Sequence, residues 1–528
     1  MRGQIIVLIL TFFSYASFHI TRKSFSFAKV NMAYPRCHHD DEIIITNGTT
    51  LCSTNFTPRC TLNTTHPDGS NLPLCDSFFG PFSTTTNRLA TLDTLFLFFY
   101  ACGLFVAGHV EDRVDIRKTL VVGMILSSMA VLGFSLLAYG NVTAFWPYAL
   151  LWSLNGLLQA SGWPACVAIM ALWFGSLPCS CFGKGKKCGR GAILGAWSGN
   201  ASAGNVFSSY VFFVVLSYSS KLPGYASKKN GNWILAIAVS AGILFVVAWL
   251  VYFAVRLPSE TGWLDSAEDM DDDSGSDTEQ QDSSLEEPLA LDWMDGDEDG
   301  VHAPADDEAI SFCSACCIPG VIPYSLSYMC LKLANYAMFF WLPFYLSHQK
   351  SSSSSSATNV DAISSTFDYG QILGGFFAGW ISDRLKSRSP VIVVMLLMSS
   401  CALFTFVNSP SLNLLVVMIP VTGFLLGGPA NMISSAVAAD LGGSVKGSGK
   451  ALATVTGIID GTGSLGASSG QYLVYLLSNC GKDGKEASSC TWTPVFVMLI
   501  SCTVLAALFI GKLCLKDCRK CGKIRLVR

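Results

Sequence analysis

Gly108-x-x-x-Asp112-Arg113-x-x-x-Arg117 and Gly379-x-x-x-Asp383-Arg384-x-x-x-Arg388 are two copies of one pattern, spaced 271 residues apart. Each copy directly follows a long apolar stretch and directly precedes another. A charged loop between two apolar segments, repeated once in each half of the chain, indicates an internally duplicated membrane protein. Many secondary transporters are built from such repeats, with the substrate site near the middle of the membrane where the repeats meet.

The composition supports a membrane protein. Hydrophobic residues make up 51% of the 528 residues and charged residues only 13%, against about 25% charged in ordinary soluble domains. Most of the apolar content lies in runs of roughly 17–25 residues, the length that crosses a bilayer as a helix. The sequence predicts an all-α membrane protein with twelve transmembrane helices in two pseudo-symmetric six-helix halves. The predicted spans are about 4–21, 89–110, 119–139, 145–174, 191–217, 233–256, 319–346, 364–382, 390–408, 412–437, 451–478 and 493–513.

The loops predict which side of the membrane they occupy. Lys and Arg cluster after spans 2, 4, 8 and 10, and positively charged loops stay in the cytoplasm. An even number of spans then places both termini there. Sequons for N-glycosylation begin at Asn47, Asn55, Asn63 and Asn141 in loops on the opposite side, where the acceptor reaction occurs. A fifth sequon, at Asn200, lies inside span 5, and we expect it to stay unmodified.

Four regions follow from these patterns. Residues 1–256 form the N-terminal six-helix half, with a glycosylated lumenal loop at 34–88, and residues 319–513 form the C-terminal half. Between them, 20 Asp or Glu and no Lys or Arg occur from Glu260 to Glu308, which predicts a disordered acidic linker at 257–318. Residues 514–528 form a basic cytoplasmic tail.

The cysteines fall into groups that follow the same topology. Cys37, Cys52, Cys60 and Cys75 share the first lumenal loop and could form two disulfides in three alternative pairings, and Cys480 could pair with Cys490. On the cytoplasmic side, Cys313, Cys316 and Cys317, and separately Cys514, Cys518 and Cys521, allow palmitoylation, zinc binding or unmodified thiols.

Charged residues within the apolar spans are candidates for a substrate site, because a charge in the membrane is costly and usually functional. Arg22 and Lys23 follow the first 18 apolar residues, and the amphipathic stretch after them predicts that the helix continues and keeps both inside the protein. A guanidinium fork suits phosphate, and Lys332 in span 7 supplies a second cation. The alternative is that Arg22 and Lys23 only anchor the helix end among lipid head groups.

The two Asp-Arg cassettes resemble the loop signature of the major facilitator superfamily. More narrowly, the chain resembles the sugar-phosphate exchangers of solute carrier family 37, in the organophosphate:phosphate antiporter group. The stretches that carry this resemblance are Thr21-Arg-Lys23, Asn155-Gly-Leu-Leu-Gln-Ala-Ser-Gly-Trp-Pro164, Trp173-Phe-Gly175, Lys332 with Trp341-Leu-Pro-Phe-Tyr345, and Ala453-Thr-Val-Thr-Gly-Ile-Ile-Asp-Gly-Thr-Gly463.

The resemblance implies exchange of a sugar phosphate, such as glucose 6-phosphate, for inorganic phosphate in the endoplasmic reticulum membrane, with the plasma membrane or an endolysosomal membrane as the alternative location. Arg22 matches the phosphate-gripping arginine of span 1 in this group. Two positions depart from its bacterial carriers: Asn200 stands where they have a histidine, and Asn335 stands where they have a second arginine. Lys332, one helical turn away, would then substitute for that arginine. The partners implied are these small molecules and membrane lipid, without nucleic acid, and the oligomeric state stays open.

These residues predict a mechanism of alternating access between two rocking halves. Arg22 and Lys332 grip the phosphate with support from Lys23, while Asp93, Asn200 and Asp460 orient sugar hydroxyls or balance charge. In an empty site two uncompensated cations would have to be occluded, and burying even one unpaired ion costs several kcal/mol. A bound dianion removes this penalty, so we expect strict exchange.

The cassette charges have a separate predicted role. Asp112 and Arg113, with Asp383 and Arg384, are expected to gate the cytoplasmic side by latching helix ends through ion pairs and helix dipoles. The alternative is plain topological anchoring.

Apart from the zinc alternative at the cytoplasmic cysteines, no sequence pattern indicates an enzyme, a cofactor or a metal site. Gly461-x-Gly463-x-x-Gly466 matches a dinucleotide-binding fingerprint but has no strand–turn–helix context, so we expect it to let two helices approach closely instead. Two other functions remain: a non-transporting glycosylated receptor or scaffold with a carrier fold, and a carrier of another organic anion.

Overall fold

Every predicted span corresponds to helix in the computed structural model. The structure describes residues 2–33, 45–46, 49–50, 78–80, 82–174, 190–219, 233–256, 310–352, 360–408, 412–443, 451–478 and 491–526. The predicted sites at Asn47, Asn55, Asn63, Cys37, Cys52, Cys60, Cys75, Cys480 and Cys490 lie outside these residues, as does 257–309 of the acidic segment.

The N-terminal half contains eight helices that build spans 1 to 6. They are α1 (Arg2–Ala33), α2 (Phe82–Glu111), α3 (Ile116–Tyr139), α4 (Phe145–Gln159), α5 (Gly162–Phe174), α6 (Arg190–Trp197), α7 (Asn200–Ser219) and α8 (Trp233–Ala254). Span 4 is divided into α4 and α5, and span 5 into α6 and α7. After α1, a pair of two-residue antiparallel strands, β1 (Ile45–Thr46) and β2 (Thr49–Thr50), pairs Ile45 with Thr50 and Thr46 with Thr49.

The second half repeats this plan. A short helix, α9 (Phe312–Cys317), precedes α10 (Val321–Ser352), α11 (Val360–Leu385), α12 (Ser389–Val407) and α13 (Leu412–Asn431). A π-helical segment (Met432–Val437) and α14 (Ala438–Gly443) complete span 10, followed by α15 (Leu452–Ser478) and α16 (Thr493–Leu526). Span 10, like span 4, is therefore not one regular α-helix.

Helix packing shows the pseudo-twofold relation between the halves. In the first half α1 packs on α7 and α8, α2 on α4, and α3 on α4 and α8; in the second, α10 packs on α15 and α16, α11 on α13, and α12 on α13 and α16. The contacts between halves are paired in the same way, α2 with α15 and α11 with α6 and α7. The interface between the halves is therefore formed mainly by spans 2 and 11 and by spans 5 and 8.

Glycines allow the close approach at both of these interfaces. A Cβ on Gly108 of α2 would clash with the carbonyl of Ala453, and one on Gly195 of α6 would clash with the carbonyl of Gly375. Within the second half, a Cβ on Gly466 would strike the carbonyl of Met329. The prediction that the glycine-rich stretch of span 11 serves helix packing is confirmed, because small residues let backbones meet.

Nine of the twelve spans are both long and apolar enough to cross a membrane, judged over the residues that the structure describes. The other three spans are α10, α11 and α15, which carry Lys332, Asp368 and Asp460. Most residues of α15 are buried. A helix surrounded by protein does not need the apolar surface that contact with lipid demands.

The structure differs from the sequence analysis at two boundaries. The predicted linker ended at 318, but α9 lies inside it, with the Ser311 hydroxyl accepting from the Ser314 amide and Ala315 buried. Apolar residues rather than acidic ones occupy this end, so it packs. The predicted tail from 514 is a continuation of α16 as far as Leu526, since Lys and Arg are good helix formers. The predicted continuation of α1 past Arg22 and Lys23 is confirmed, because α1 ends at Ala33.

We refer to the face of the bundle at which α1 begins and α16 ends as the terminal face, and to the other as the opposite face. The cassette after α2 and the one after α11 both lie on the terminal face.

Candidate functional site

A cavity lies between the two halves near the middle of the spans. Its empty volume is about 530 Å³ including its open part. Both halves contribute side chains, and most of these are polar or aromatic. The lining residues are Tyr15, His19, Trp163, Ser198, Ala201, Ser202 and Asn205 from the first half and Tyr328, Lys332, Asn335, Tyr336, Phe339, Gln371, Ala430, Asn431, Ser434 and Asp460 from the second.

Lys332 is the cation in the wall of this cavity. It is 2% exposed, and its Nζ lies 2.8 Å from Asp460 Oδ1 and 2.8 Å from Ser464 Oγ. The rings of Tyr100, Tyr328 and Tyr336 surround the ammonium at 5.3–5.5 Å. From the sequence, Lys332 was expected to be uncompensated in the empty site. That expectation is wrong, because α10 and α15 pack side by side and bring Asp460 against it.

Arg22 lies behind the wall rather than in it. The side chain is completely buried, and its Nε donates to Gln159 Oε1 at 2.6 Å. Its guanidinium stacks 4.4 Å from the centre of the Tyr100 ring and 5.8 Å from that of Tyr15. Tyr15 lines the cavity, and its hydroxyl is 3.2 Å from the Tyr100 hydroxyl. The two tyrosines therefore form a screen between Arg22 and the cavity.

Arg22 differs from the other mid-span cations in its partners. Nη1 faces His19 Nε2 at 3.4 Å, and Nη2 has no hydrogen-bond partner among the described residues. No carboxylate pairs with the guanidinium in that part of the chain. Its neighbours are instead aromatic faces, an amide oxygen and an imidazole.

Lys23 points to the other half of the protein. Its Nζ donates to the carbonyl of Phe339 at 3.1 Å and lies 3.9 Å from Asp368 Oδ2. The Phe339 carbonyl is available because Pro343, four residues later, has no N–H to bond it. Lys23 therefore contacts α10 and α11 rather than the cavity.

Asp93 and Asn200 were predicted to contact the substrate, and both are buried away from the cavity lining. Asp93 forms an ion pair with Lys29, whose Nζ also donates to the carbonyl of Phe340 at 3.3 Å. Asn200 is 0% exposed, and neither amide atom has a partner among the described residues. The predicted Asn335 does line the cavity, as Asp460 does.

Sequence reasoning missed several charges and polar groups around the cavity. Lys29 and Asp368 lie within apolar stretches and could have been found by the same rule that selected Lys332. With them, the described residues in the middle of the spans include four cations and three carboxylates. The cations are Arg22, Lys23, Lys29 and Lys332, and the carboxylates are Asp93, Asp368 and Asp460. His19, Asn205, Gln159 and Gln371 carried no such signal, because single polar residues in helices are common.

The cassette residues take unequal positions on the terminal face. The Asp112 carboxylate accepts from the backbone amides of Ala453 at 3.1 Å and Thr454 at 2.8 Å, so a residue of the first half caps the start of α15 in the second. Partial burial raises the pKa of the Asp112 carboxyl, while its hydrogen bonds to Thr454 and Ala453 act in the other direction. Arg113 donates to the His109 carbonyl.

The second cassette makes its contacts through a different arginine. Arg384 is exposed and stacks on Trp380. Arg388, which was not predicted as a gate, donates to Asp440 Oδ2 at 2.8 Å and pairs with Asp383 at 3.3 Å. These contacts join α11, α12 and α14 within one half.

Asn141, the one predicted glycosylation site among the described residues, is exposed in the turn between α3 and α4. Its φ is +56°, a left-handed conformation that asparagine tolerates better than most residues. Glycosylation there stays a prediction.

Comparison with known proteins agrees with this architecture. The sequence profile of the Major Facilitator Superfamily matches residues 72–470 and 324–517. Among solved structures, a partially occluded inward-open conformation of the xylose transporter XylE from E. coli covers 97% of this chain and 98% of its own, with a TM-score of 0.57 at 13% identity. The E. coli fucose:proton symporter FucP covers 96% and 98%, with a TM-score of 0.53 at 11% identity. At these identities the likeness shows the fold alone.

Sequence relatives are much closer. Sugar phosphate exchanger 3 of Gallus gallus is 39% identical over 98% of this chain and 93% of its own length, and that of Homo sapiens is 38% identical over 97% and 93%. Glucose-6-phosphate exchanger SLC37A2 of Bos taurus is 31% identical over 97% and 94%. The chain belongs to the major facilitator superfamily and, within it, to the sugar-phosphate exchangers of solute carrier family 37.

Proposed function

We propose that this protein exchanges a sugar phosphate of the glucose 6-phosphate kind for inorganic phosphate by alternating access. The observation that carries the proposal is the charge balance at mid-span. Four cations face three carboxylates, and Arg22 is the cation without a carboxylate partner among the described residues. An anionic substrate supplies the missing charge.

The arrangement of Arg22 and Lys332 supports a phosphate position between them. Lys332 is in the cavity wall, and Arg22 is separated from the cavity by Tyr15 and Tyr100. Tyr100 also donates to Asp460 Oδ2 at 3.4 Å, across the α2–α15 interface of the two halves. A phosphate that replaces Asp460 as the partner of Lys332 would release Tyr100 and give access to Arg22.

This geometry also supports coupling of binding to movement. An unpaired buried cation costs several kcal/mol, so occlusion of Arg22 without an anion is unfavourable. With Lys332 paired to Asp460, the penalty in the empty state comes from one cation rather than the two first expected. The substrate-loaded protein should therefore reorient faster than the empty protein. A carrier that reorients mainly when it is loaded performs exchange.

Reconstituted protein tests the proposal. Liposomes loaded with inorganic phosphate should take up labelled glucose 6-phosphate, and liposomes without internal phosphate should take up little. Equal uptake in both would contradict exchange. Counterflow with several anions separates the remaining functions, because a carrier of another anion prefers that anion and a non-transporting receptor shows no counterflow.

We also propose that the protein resides in the endoplasmic reticulum membrane with both termini in the cytoplasm. The basic loops on the terminal face support this orientation. Epitope tags at the two ends should both react with antibody after selective permeabilisation of the plasma membrane, and protection of either tag would contradict the orientation.

A further inference from the structure

One group of polar residues in the cavity wall takes no part in the phosphate position. His19, Asn205, Gln371 and Asn335 come from four different spans, line the cavity and are connected through the buried carboxylate of Asp368. We name these five residues the amide chain. Asp368 is 0% exposed and lies beside Lys23, an ion-pair geometry in which it is a carboxylate and therefore accepts hydrogen bonds without donating any.

The carboxylate fixes the direction of every bond on the Asn335 side. Gln371 turns its NH₂ group toward Asp368 Oδ1, at 3.5 Å, so its own Oε1 faces away. That oxygen accepts from Asn335 Nδ2 at 3.0 Å. The Asn335 NH₂ group is thereby used, and its Oδ1 is buried with no partner among the described residues. The amide chain thus ends on this side in an acceptor oxygen, Asn335 Oδ1.

The other branch follows the same logic. Asn205 Nδ2 donates to Asp368 Oδ1 at 2.6 Å, which leaves Asn205 Oδ1 to accept from His19 Nδ1 at 3.1 Å. With its proton on Nδ1, the neutral imidazole presents a lone pair on Nε2 to Arg22. The Asp368 carboxylate therefore fixes an acceptor atom at each end of the amide chain. One of them, His19 Nε2, stabilises the Arg22 guanidinium.

We infer that Asn335 Oδ1 binds a hydroxyl of the sugar ring, and that the amide chain makes this protein select a sugar phosphate over smaller phosphates. A hydroxyl can donate to this oxygen, whereas a fully ionised phosphate oxygen cannot and would be repelled by it. The cavity then has a cationic end at Lys332 for the phosphate and an acceptor end at Asn335 for the sugar. This inference rests on the proposed function and assigns the sugar-recognition residues within the same site.

The test compares two reactions of the full-length protein in liposomes. Exchange of inorganic phosphate for inorganic phosphate needs only the cationic end, and uptake of glucose 6-phosphate into phosphate-loaded liposomes needs both ends. Asn335→Ala should raise the KM for glucose 6-phosphate roughly tenfold, the effect of one lost hydrogen bond, and leave phosphate–phosphate exchange within about twofold. Asn408→Ala, the same change at an exposed asparagine just after α12 and outside the cavity lining, is the matched control and should alter neither reaction.

Analogues of glucose 6-phosphate that each lack one ring hydroxyl identify the contact. For one analogue, the missing hydroxyl should weaken binding to the wild-type protein roughly tenfold relative to glucose 6-phosphate. The Asn335→Ala variant should bind that same analogue at least as well as it binds glucose 6-phosphate. Gln371→Met, which removes the support of Asn335, should behave like Asn335→Ala and serves if that variant does not fold.

The outcomes separate the inference from the proposed function. If wild-type protein performs neither exchange, the proposed function fails. If wild-type protein is active, three outcomes would show that the inference is wrong while exchange stands. The variants could slow both reactions by the same factor, or they could change neither reaction. In the third outcome, every single-hydroxyl analogue loses as much affinity on the variant as on wild type.

Discussion

Lys332 Nζ lies 2.8 Å from Asp460 Oδ1, and both side chains are almost fully buried where α10 meets α15. The pair holds a cation in the cavity wall without leaving its charge uncompensated. Tyr100, from the other half, donates to the second oxygen of the same carboxylate. A single carboxylate therefore connects the cation at the cavity to the interface between the halves.

Breaking this pair should affect stability and transport differently. Lys332→Met leaves Asp460 buried without its partner, so we expect a loss of about 3–5 kcal/mol in the free energy of unfolding. The swap Lys332→Asp with Asp460→Lys restores the opposite charges and should recover most of that loss, measured as thermal unfolding in detergent. Transport should stay low in the swap, because the ammonium then extends from α15. Equal melting temperatures for wild type and Lys332→Met would contradict the importance of the pair.

Arg22 should be the residue most sensitive to substitution. Its guanidinium can form two charge-assisted hydrogen bonds to phosphate, so Arg22→Ala should lower the rate of exchange on the order of 100-fold. Arg22→Lys keeps the charge but loses the fork, and should lower it roughly tenfold. Lys118→Ala, at an exposed position on the terminal face, is the control and should exchange normally. A folded Arg22→Ala protein with more than a tenth of wild-type exchange would exclude Arg22 as the phosphate ligand.

Asp112 should control the rate of conformational change rather than substrate choice. Asp112→Ala removes the acceptors of the Ala453 and Thr454 amides at the start of α15 and weakens closure of the terminal face. We expect slower turnover with an unchanged preference between glucose 6-phosphate and inorganic phosphate in competition assays.

Asp115→Ala is the matched control for Asp112. Asp115 caps α3 of its own half by accepting from the Arg117 and Lys118 amides, so its loss should lower stability by about 1 kcal/mol and leave turnover near normal. If both variants slow turnover equally, Asp112 is only a local cap.

Pro343 should influence closure of the opposite face. Because proline has no N–H, the Phe339 carbonyl is free to accept from Lys23 across the interface between the halves. Pro343→Ala offers that carbonyl an intrahelical partner, so we expect the contact of α1 with α10 to weaken and exchange to slow. A cysteine placed at Ser202 would report the opening of this face, because it should then react faster with a membrane-impermeant thiol reagent. The extent of reaction is quantified by mass spectrometry.

Pro420→Ala is the control for Pro343, since it changes a proline inside α13. It should leave the Ser202 cysteine as protected as in the parent. Unchanged reactivity in Pro343→Ala would show that Lys23 closes this face without help from the proline.

The sequence predicted the helices well because apolar length is a local property. The repeated cassettes predicted two halves, and the amphipathic stretch after Lys23 predicted that α1 continues to Ala33. Arg22, Lys23 and Lys332 were found because a charge in an apolar run stands out. The pairing of Lys332 with Asp460 and of Lys23 with Asp368 was not predicted, since the two members of these pairs lie 128 and 345 residues apart along the chain.

The sequence by itself determined a duplicated twelve-span membrane protein with cations in its interior, because span length, loop charge and repeat spacing depend only on the order of residues. The tertiary structure alone decided which charges neutralise one another, that Arg22 lies behind Tyr15 and Tyr100, and that Asp368 orders the amide chain. These relations depend on side chains from different spans meeting within a few ångströms, and helix packing sets that distance.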